Sequence, residues 1–402
     1  MIHRCLALST ALLLACATAA AAQQPTSEDR SRPAMVQVGP FSVRPVFLLR
    51  DVGFDSNVFN ESEDPQSDFT ATMGAKVDVG MRLPRLQGTY TSSYEYLYFQ
   101  SIERERSSNR GVEGRVDALL GRFRPYAAAG ISNTHDRPTS EIDERAHRQQ
   151  SHVEIGLRAA AFSRTFLNVG YRRTGVEYAD DELFRGVSLA EALNATGETV
   201  RFGADMELTP LTTVSLDGER AQDRFDLAPG RDASSYRFGV TATLNPLALI
   251  SGRASIGVRA FRPRSAQVAD FTGLTAAIAV GYSLGDDMRL NVALDRDLRY
   301  SFDQITPYYV STGGRVTVTR QLIGNFDGQV FAGAERIAYE ARLDAPVAAD
   351  TDSVRIFGTG VGYRLGDGAR VAINFDHTAR SSPAADREHT RGRLYTTLTY
   401  GF

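Results

Sequence analysis

Apolar residues return at every second position in one segment of this chain after another. Phe69, Ala71, Met73, Ala75, Val77, Val79, Met81 and Leu83 alternate without a break against Thr70, Thr72, Lys76, Asp78 and Arg82. The same period recurs in residues 112–120, 153–161, 200–208, 236–244, 274–284, 290–298 and 371–375. A repeat of two is the signature of a strand with unlike faces, whereas a helix would repeat at 3.6. The residues between are charged: Arg82, Glu95, Arg115, Asp117, Arg158, Arg201, Glu207, Arg253, Arg259, Asp295, Asp297, Arg299, Arg315 and Asp376. Buried dry and unpaired, each would cost roughly several kcal/mol. Facing a water-filled lumen they cost little. The pattern therefore predicts an all-β fold, a transmembrane antiparallel up-and-down β-barrel with apolar side chains to lipid and charged ones to a lumen.

The breaks between these runs are of two kinds. Short ones fall near Pro84, 121–124, Ser163, Pro210, 245–246, 285–286, 321–324 and 366–368. Longer, charged ones fall near 61–67, 103–108, 136–148, 180–194, 226–232, 263–267, 302–307, 342–352 and 381–388. They alternate strictly, which is the layout of short periplasmic turns and longer extracellular loops. Eight turns and nine loops join about 18 strands (16–18), with both ends on the periplasmic side and the barrel running from 41 to 402. A propeller would show a tighter repeat, and a sandwich would need continuous apolar runs. The last segment, 393–402, sets Leu394, Leu398, Tyr400 and Phe402 on one face and Arg393, Thr397 and Thr399 on the other. It resembles the C-terminal assembly signal of Gram-negative outer-membrane barrels, carried here by Leu398, Tyr400 and Phe402.

Residues 1–22 read as a secretory signal: His3 and Arg4, an apolar core over 6–14, and Ala20-Ala21-Ala22 before Gln23. Cleavage there removes Cys5 and Cys16, leaving neither a disulfide nor a thiol site. Residues 13–16 partly resemble a lipobox, which would instead make Cys16 a lipidated first residue. Residues 23–40 read as a flexible periplasmic lead. Beyond the signal no stretch approaches the roughly 18 apolar residues of a spanning helix. The mean hydropathy of −0.25 is what alternating barrel strands produce. A net charge of −3 argues against nucleic acid as a partner. Trp is absent, so any aromatic belt must come from the 16 Tyr and 21 Phe.

No enzyme emerges. The sequence holds no H-E-x-x-H, Walker A or G-x-S-x-G, and neither a metal nor a cofactor is expected. His135, His147 and His389 fall in expected loops, and nothing in the spacing joins His152 and His377 to a serine. Gly358-Thr359-Gly360-Val361-Gly362 lies in a strand, where glycines relieve crowding. One loop stands out. In 180–197, Ser188 with Glu191 three places on makes a capping box for a short helix, on either a plain surface loop or a lid folded against the lumen.

The first strand carries a family resemblance. Residues 46–59 run into Phe54-Asp55-Ser56-Asn57-Val58. This aromatic-Asp-x-Asn-Val pattern resembles the opening of the putative β-barrel porin 2 family. The resemblance implies an outer-membrane barrel linked with exopolysaccharide export. Its expected partners are outer-membrane lipid and lipopolysaccharide, the barrel assembly machinery, a periplasmic polysaccharide export protein and the polysaccharide itself. Locally, Asp55 and Asn57 are expected to tie down the first loop. The alternatives are a general or solute-specific diffusion porin, or a structural or adhesive barrel. The lumen path is expected over Arg82, Arg115, Arg158, Arg201, Arg253, Arg259, Asp295, Asp297, Arg299 and Arg315. These arginines would either favour an acidic glycan or pair with lumen carboxylates. Removing Phe402, or replacing it by Ser, should leave the secreted chain degraded or stranded in the periplasm. Immunoblots of membrane fractions for the heat-modifiable barrel check this; normal amounts would show that the terminal signal is not read.

Overall fold

The computed structural model describes residues 36–245, 248–285, 287–345, 350–366 and 368–401. The segment 1–22 expected as a secretory signal, with Cys5 and Cys16, and the terminal Phe402 lie outside the described residues. Nineteen strands form one sheet, of which one is a three-residue arm, and the other eighteen close into a barrel. In chain order these are β1 (Phe41–Asp55), β2 (Asp68–Arg82), β3 (Leu86–Phe99), β4 (Ser107–Ala118), β5 (Phe123–Asp136) and β6 (Ala146–Phe162). Then come β7 (Thr165–Tyr178), β8 (Ala195–Thr209), β9 (Thr212–Phe225), β10 (Ala233–Leu244), β11 (Ile250–Pro263) and β12 (Phe271–Leu284). The last six are β13 (Met288–Tyr300), β14 (Tyr308–Gln321), β15 (Phe326–Glu340), β16 (Thr351–Leu365), β17 (Ala369–Ser381) and β18 (His389–Gly401). Each pairs antiparallel with its chain neighbours, and β1 pairs with β18 to close the ring.

Alternation decides which way each side chain points. Phe47, Tyr94, Ile155, Phe202, Phe238, Ile256, Val330, Phe357, Phe375 and Leu394 are exposed on the outer face, the face a bilayer would cover. No helix among the described residues is long and apolar enough to cross a membrane. The glycines of the 358–362 stretch answer to packing. A Cβ at Gly358 would run into the Phe331 ring, at Gly360 into the Asn374 amide, and at Gly362 into the Arg370 guanidinium.

Within the segment 23–40, expected as a flexible lead, Val36–Val38 pairs with residues 41–43 as the arm of a tight hairpin. Its three residues complete the main-chain bonds at the start of β1. His135, His147 and His389 were placed in loops; they stand instead at the ends of β5, β6 and β18. The charged runs beside them hid strands that extend past the apolar band. His152 and His377 lie on β6 and β17, far apart around the ring, so no catalytic pair forms.

The loop and turn ends of the barrel should be separable on cells. Tags at Leu227 or Leu343, exposed on the loop side, should bind antibody on intact cells. A tag at Ile323, exposed on the turn side, should bind only after the outer membrane is opened. The reverse pattern would invert the topology.

Candidate pore constriction

The first and last strands meet at a seam, and the aromatic-Asp-x-Asn-Val segment sits on its loop end. Asp55 is buried and accepts from Arg391 Nε on β18 at 2.8 and 3.0 Å. Its Oδ1 also caps the Asn57 amide at 3.1 Å. Asn57 donates through Nδ2 to the Glu61 and Thr390 carbonyls at 2.8 and 3.2 Å, while its Oδ1 accepts from Glu61 N at 2.9 Å. Val58 is buried and its carbonyl accepts from Arg137. Phe54, at the outward register, is exposed and packs edge-on against Phe69. The motif therefore fastens β1 to β18 and the first loop to both.

Arg137 belongs to the segment 137–145 between β5 and β6, and that segment does not stay over its own strands. It reaches wall strands halfway round the ring. Ser140 Oγ donates to Glu335 Oε2 on β15 at 2.6 Å. Arg380 on β17 donates through Nη1 to the Ser140 carbonyl and to Asp143 Oδ2, both at 2.7 Å. Asn60 and Arg387 bind the Asp143 and Glu141 carbonyls at 3.1 and 3.0 Å. Glu141 and Ile142 are almost completely buried. Thr139 Oγ1 accepts from both their amides, at 3.2 and 2.9 Å, which shapes the tip. A charged surface loop has no reason to bury its tip; Pro138, Glu141 and Ile142 are buried here because the segment folds inward onto the opposite wall, while Glu144 stays exposed.

The loop 179–194 covers it. Ser188 Oγ accepts from Glu191 N at 3.3 Å and starts the helix α1 (Leu189–Leu193), as the capping box predicts. Of the two expectations for this loop, the lid is the one observed. Phe184, Leu189 and Ala190 are buried with Ile142 of the plug and Phe302 of the loop 301–307. The Phe184 and Phe302 rings meet edge-on at 4.7 Å. Each such large side chain gains roughly 1.5–3 kcal/mol by burial, before the entropy of ordering the loops is set against it.

A closed wall of this kind, with loops folded inward at one end, is the architecture of outer-membrane channels. The profile of the family "Putative beta-barrel porin 2" matches residues 32–402. The chain belongs to the putative beta-barrel porin 2 family. Among solved structures it is similar to Pseudomonas aeruginosa OccK2 (OpdF) in complex with glucuronate, at 11% identity and a TM-score of 0.51. That match covers 90% of this chain and 98% of that one. Pseudomonas aeruginosa OccK9 (OpdG) is similar at 11% identity and a TM-score of 0.50, with the same two coverages of 90% and 98%. At such identity the likeness speaks for the fold alone. No curated protein matches the sequence. The protein is thus an outer-membrane β-barrel of porin-like type.

In this porin-like barrel most of the expected lumen arginines are already engaged. Arg115 forks onto Asp117 at 2.8 and 2.7 Å and lies over the Tyr126 ring. Arg158 reaches Asp205 at 3.2 Å and Glu207 at 3.8 Å. Arg201 meets Glu219 at 3.1 Å, Arg259 meets Asp297 at 2.8 Å, and Arg299 meets Asp295 at 2.9 Å. Asp376 holds Arg393 at 2.6 Å, and Glu95 holds Arg50 at 2.7 Å. Arg82 is exposed at the turn end. Four arginines at the inward register of β10–β14 form no ion pair among the described residues. Arg237 donates to the Thr275 and Ser255 hydroxyls at 3.2 and 2.8 Å. Arg289 donates to Asn291 Oδ1 at 3.2 Å, and Arg315 lies 4.1 Å from the centre of the Phe331 ring. Arg253 stands exposed between them. Arg237 and Arg289 were not among the expected lumen residues, although their odd-numbered register on β10 and β13 is the inward one.

Glu141 gives the plug a pH dependence. Burial lifts its carboxyl to about 7, against the opposing pull of the Ser301 hydroxyl and of Arg387 and Arg231. The docked loop therefore holds a proton that the undocked loop would release near 4.5. Docking is strongest below that value and weakens as pH rises through about 7, by an amount on the order of 3 kcal/mol. Single-channel conductance should accordingly increase from about pH 5 to about pH 8 in the wild type, and Glu141→Gln should remove that rise.

Proposed function

We propose that this protein is a gated diffusion channel for small polar solutes, with a preference for carboxylates. The observation that carries the reading is the segment 137–145, which crosses the lumen and is bonded to the opposite wall through Glu335 and Arg380. A sugar polymer needs a wide, continuous, hydrated path. A channel for small solutes needs a constriction, and a loop tied down at both walls supplies one. The porin alternative thus fits this geometry better than the polysaccharide exit pore that the family resemblance implies. The preference for carboxylates rests on Arg237, Arg253, Arg289 and Arg315, whose guanidinium forks are not taken by protein carboxylates. Along a wet path each such contact is worth about 1 kcal/mol or less and is screened by salt.

Proteoliposome swelling tests both parts, with glucuronate as the acidic probe, glucose as the neutral one and a dextran oligomer as the polymer. The wild type should admit glucuronate faster than glucose and exclude the oligomer. Shortening the segment 139–143 should admit the oligomer while the barrel stays heat-modifiable. Replacing Arg253 and Arg289 together by Ser should abolish the preference for glucuronate and leave glucose entry unchanged. Oligomer entry through the wild type would restore the polysaccharide reading.

A further inference from the structure

The loop end of β5 and β6 carries a feature that solute passage does not use. His135 and His147 face each other across the strand pair, their rings parallel within 4° and 3.8 Å apart between centres. Glu182, from the lid loop after β7, places Oε1 2.7 Å from His147 Nδ1 and also accepts from the His147 amide at 2.9 Å. One ligand atom from each of the three residues lies within 4.8 Å of the other two. His135 is 7% exposed, and its Nδ1 has no hydrogen-bond partner among the described residues. A buried imidazole nitrogen left without a partner costs free energy that no protein contact here offsets.

We propose that His135, His147 and Glu182 form a site for a divalent transition metal of the zinc type. Two imidazoles and a carboxylate are a donor set that zinc accepts in tetrahedral geometry, with a water in the fourth position. Such an ion holds its ligand atoms about 3.3 Å apart, so a modest fanning of the two rings and a small outward shift of Glu182 would admit it. His147, with a side chain 60% exposed, leaves a path for entry and for the water. Bound there, the ion ties the lid to the wall. The Glu182 carbonyl accepts from Leu189 N, the first residue of α1, and Phe184 two places on packs with Ile142 of the plug and Phe302. The metal would thus hold the lid closed, and its removal would free it. This revises the expectation from the sequence that no metal is bound.

The test uses untagged full-length barrel in detergent micelles, stripped with chelator and titrated with Zn²⁺ against a chromophoric competitor. One equivalent should bind, and His135→Ala and Glu182→Gln should each weaken binding at least about tenfold. Added Zn²⁺ should also lower single-channel conductance in the wild type and leave Glu182→Gln unaffected. If His135→Ala does not fold, Glu182→Gln decides alone, since it lies on a loop outside the wall. Absence of saturable binding in the wild type, or undiminished binding in Glu182→Gln, would overturn the site. Neither result bears on the swelling experiment, so the two proposals fail separately.

Discussion

Closure of the ring by β1 and β18 is the constraint on which everything else in this molecule depends. In hydrocarbon an unpaired main-chain amide or carbonyl costs several kcal/mol, roughly, so a sheet with free edges cannot sit there. Here the two edge strands meet from Val46 opposite Gly401 to Asp55 opposite Arg393, and among the described residues the barrel wall has no free edge. The join is irregular. Between Leu49 and Val52 the register shifts, and Asp51 adopts a left-handed backbone with φ 54°. Side chains make up what the ladder loses there. Arg393 spans Asp376 and Asp51, Arg50 reaches Glu95, and Asp55 takes Arg391. Removing one partner of such a pair would strand the other at a cost of about 3–5 kcal/mol where both are buried.

The same seam anchors the constriction. Arg137 donates to the Val58 carbonyl, and Asn60 donates to the Asp143 carbonyl, so the first loop holds the plug. Arg380 then joins the plug to the wall through Asp143 and Asp352 at once. A segment of nine residues can remain in the lumen only if its polar main chain is satisfied there, and wall arginines and hydroxyls do that work. On β10–β14 the ion-paired Arg259 and Arg299 stand among Arg237, Arg253, Arg289 and Arg315, whose guanidinium groups no carboxylate among the described residues takes.

Much of the fold was legible because a barrel repeats a local rule. Each strand must alternate, each turn must be short, and each loop can carry charge, so Pro210, Gly285 and the runs at 226–232 and 381–388 mark their places without reference to partners. Strand number follows from the same rule, which also predicts an inward face for Arg115, Arg201, Arg259 and Asp297. The capping box at Ser188 was legible for the same reason, since a cap is made within four residues. Glu182, Glu141 and Arg380 carried no such signal. Their roles rest on residues 35 to more than 200 positions away, with no fixed spacing.

The sequence by itself determined the wall: period-two alternation with charges between can be satisfied only by strands that face lipid on one side and water on the other. Only the tertiary structure decided the inside. Which loop fills the lumen depends on whether its few polar groups find partners on a wall halfway round the ring. Which arginines stay open depends on cross-strand neighbours, and which histidines meet depends on a register set by bonds along the whole strand pair. These are distances between remote residues, and an ordering of side chains along one chain does not contain them until the ring has closed.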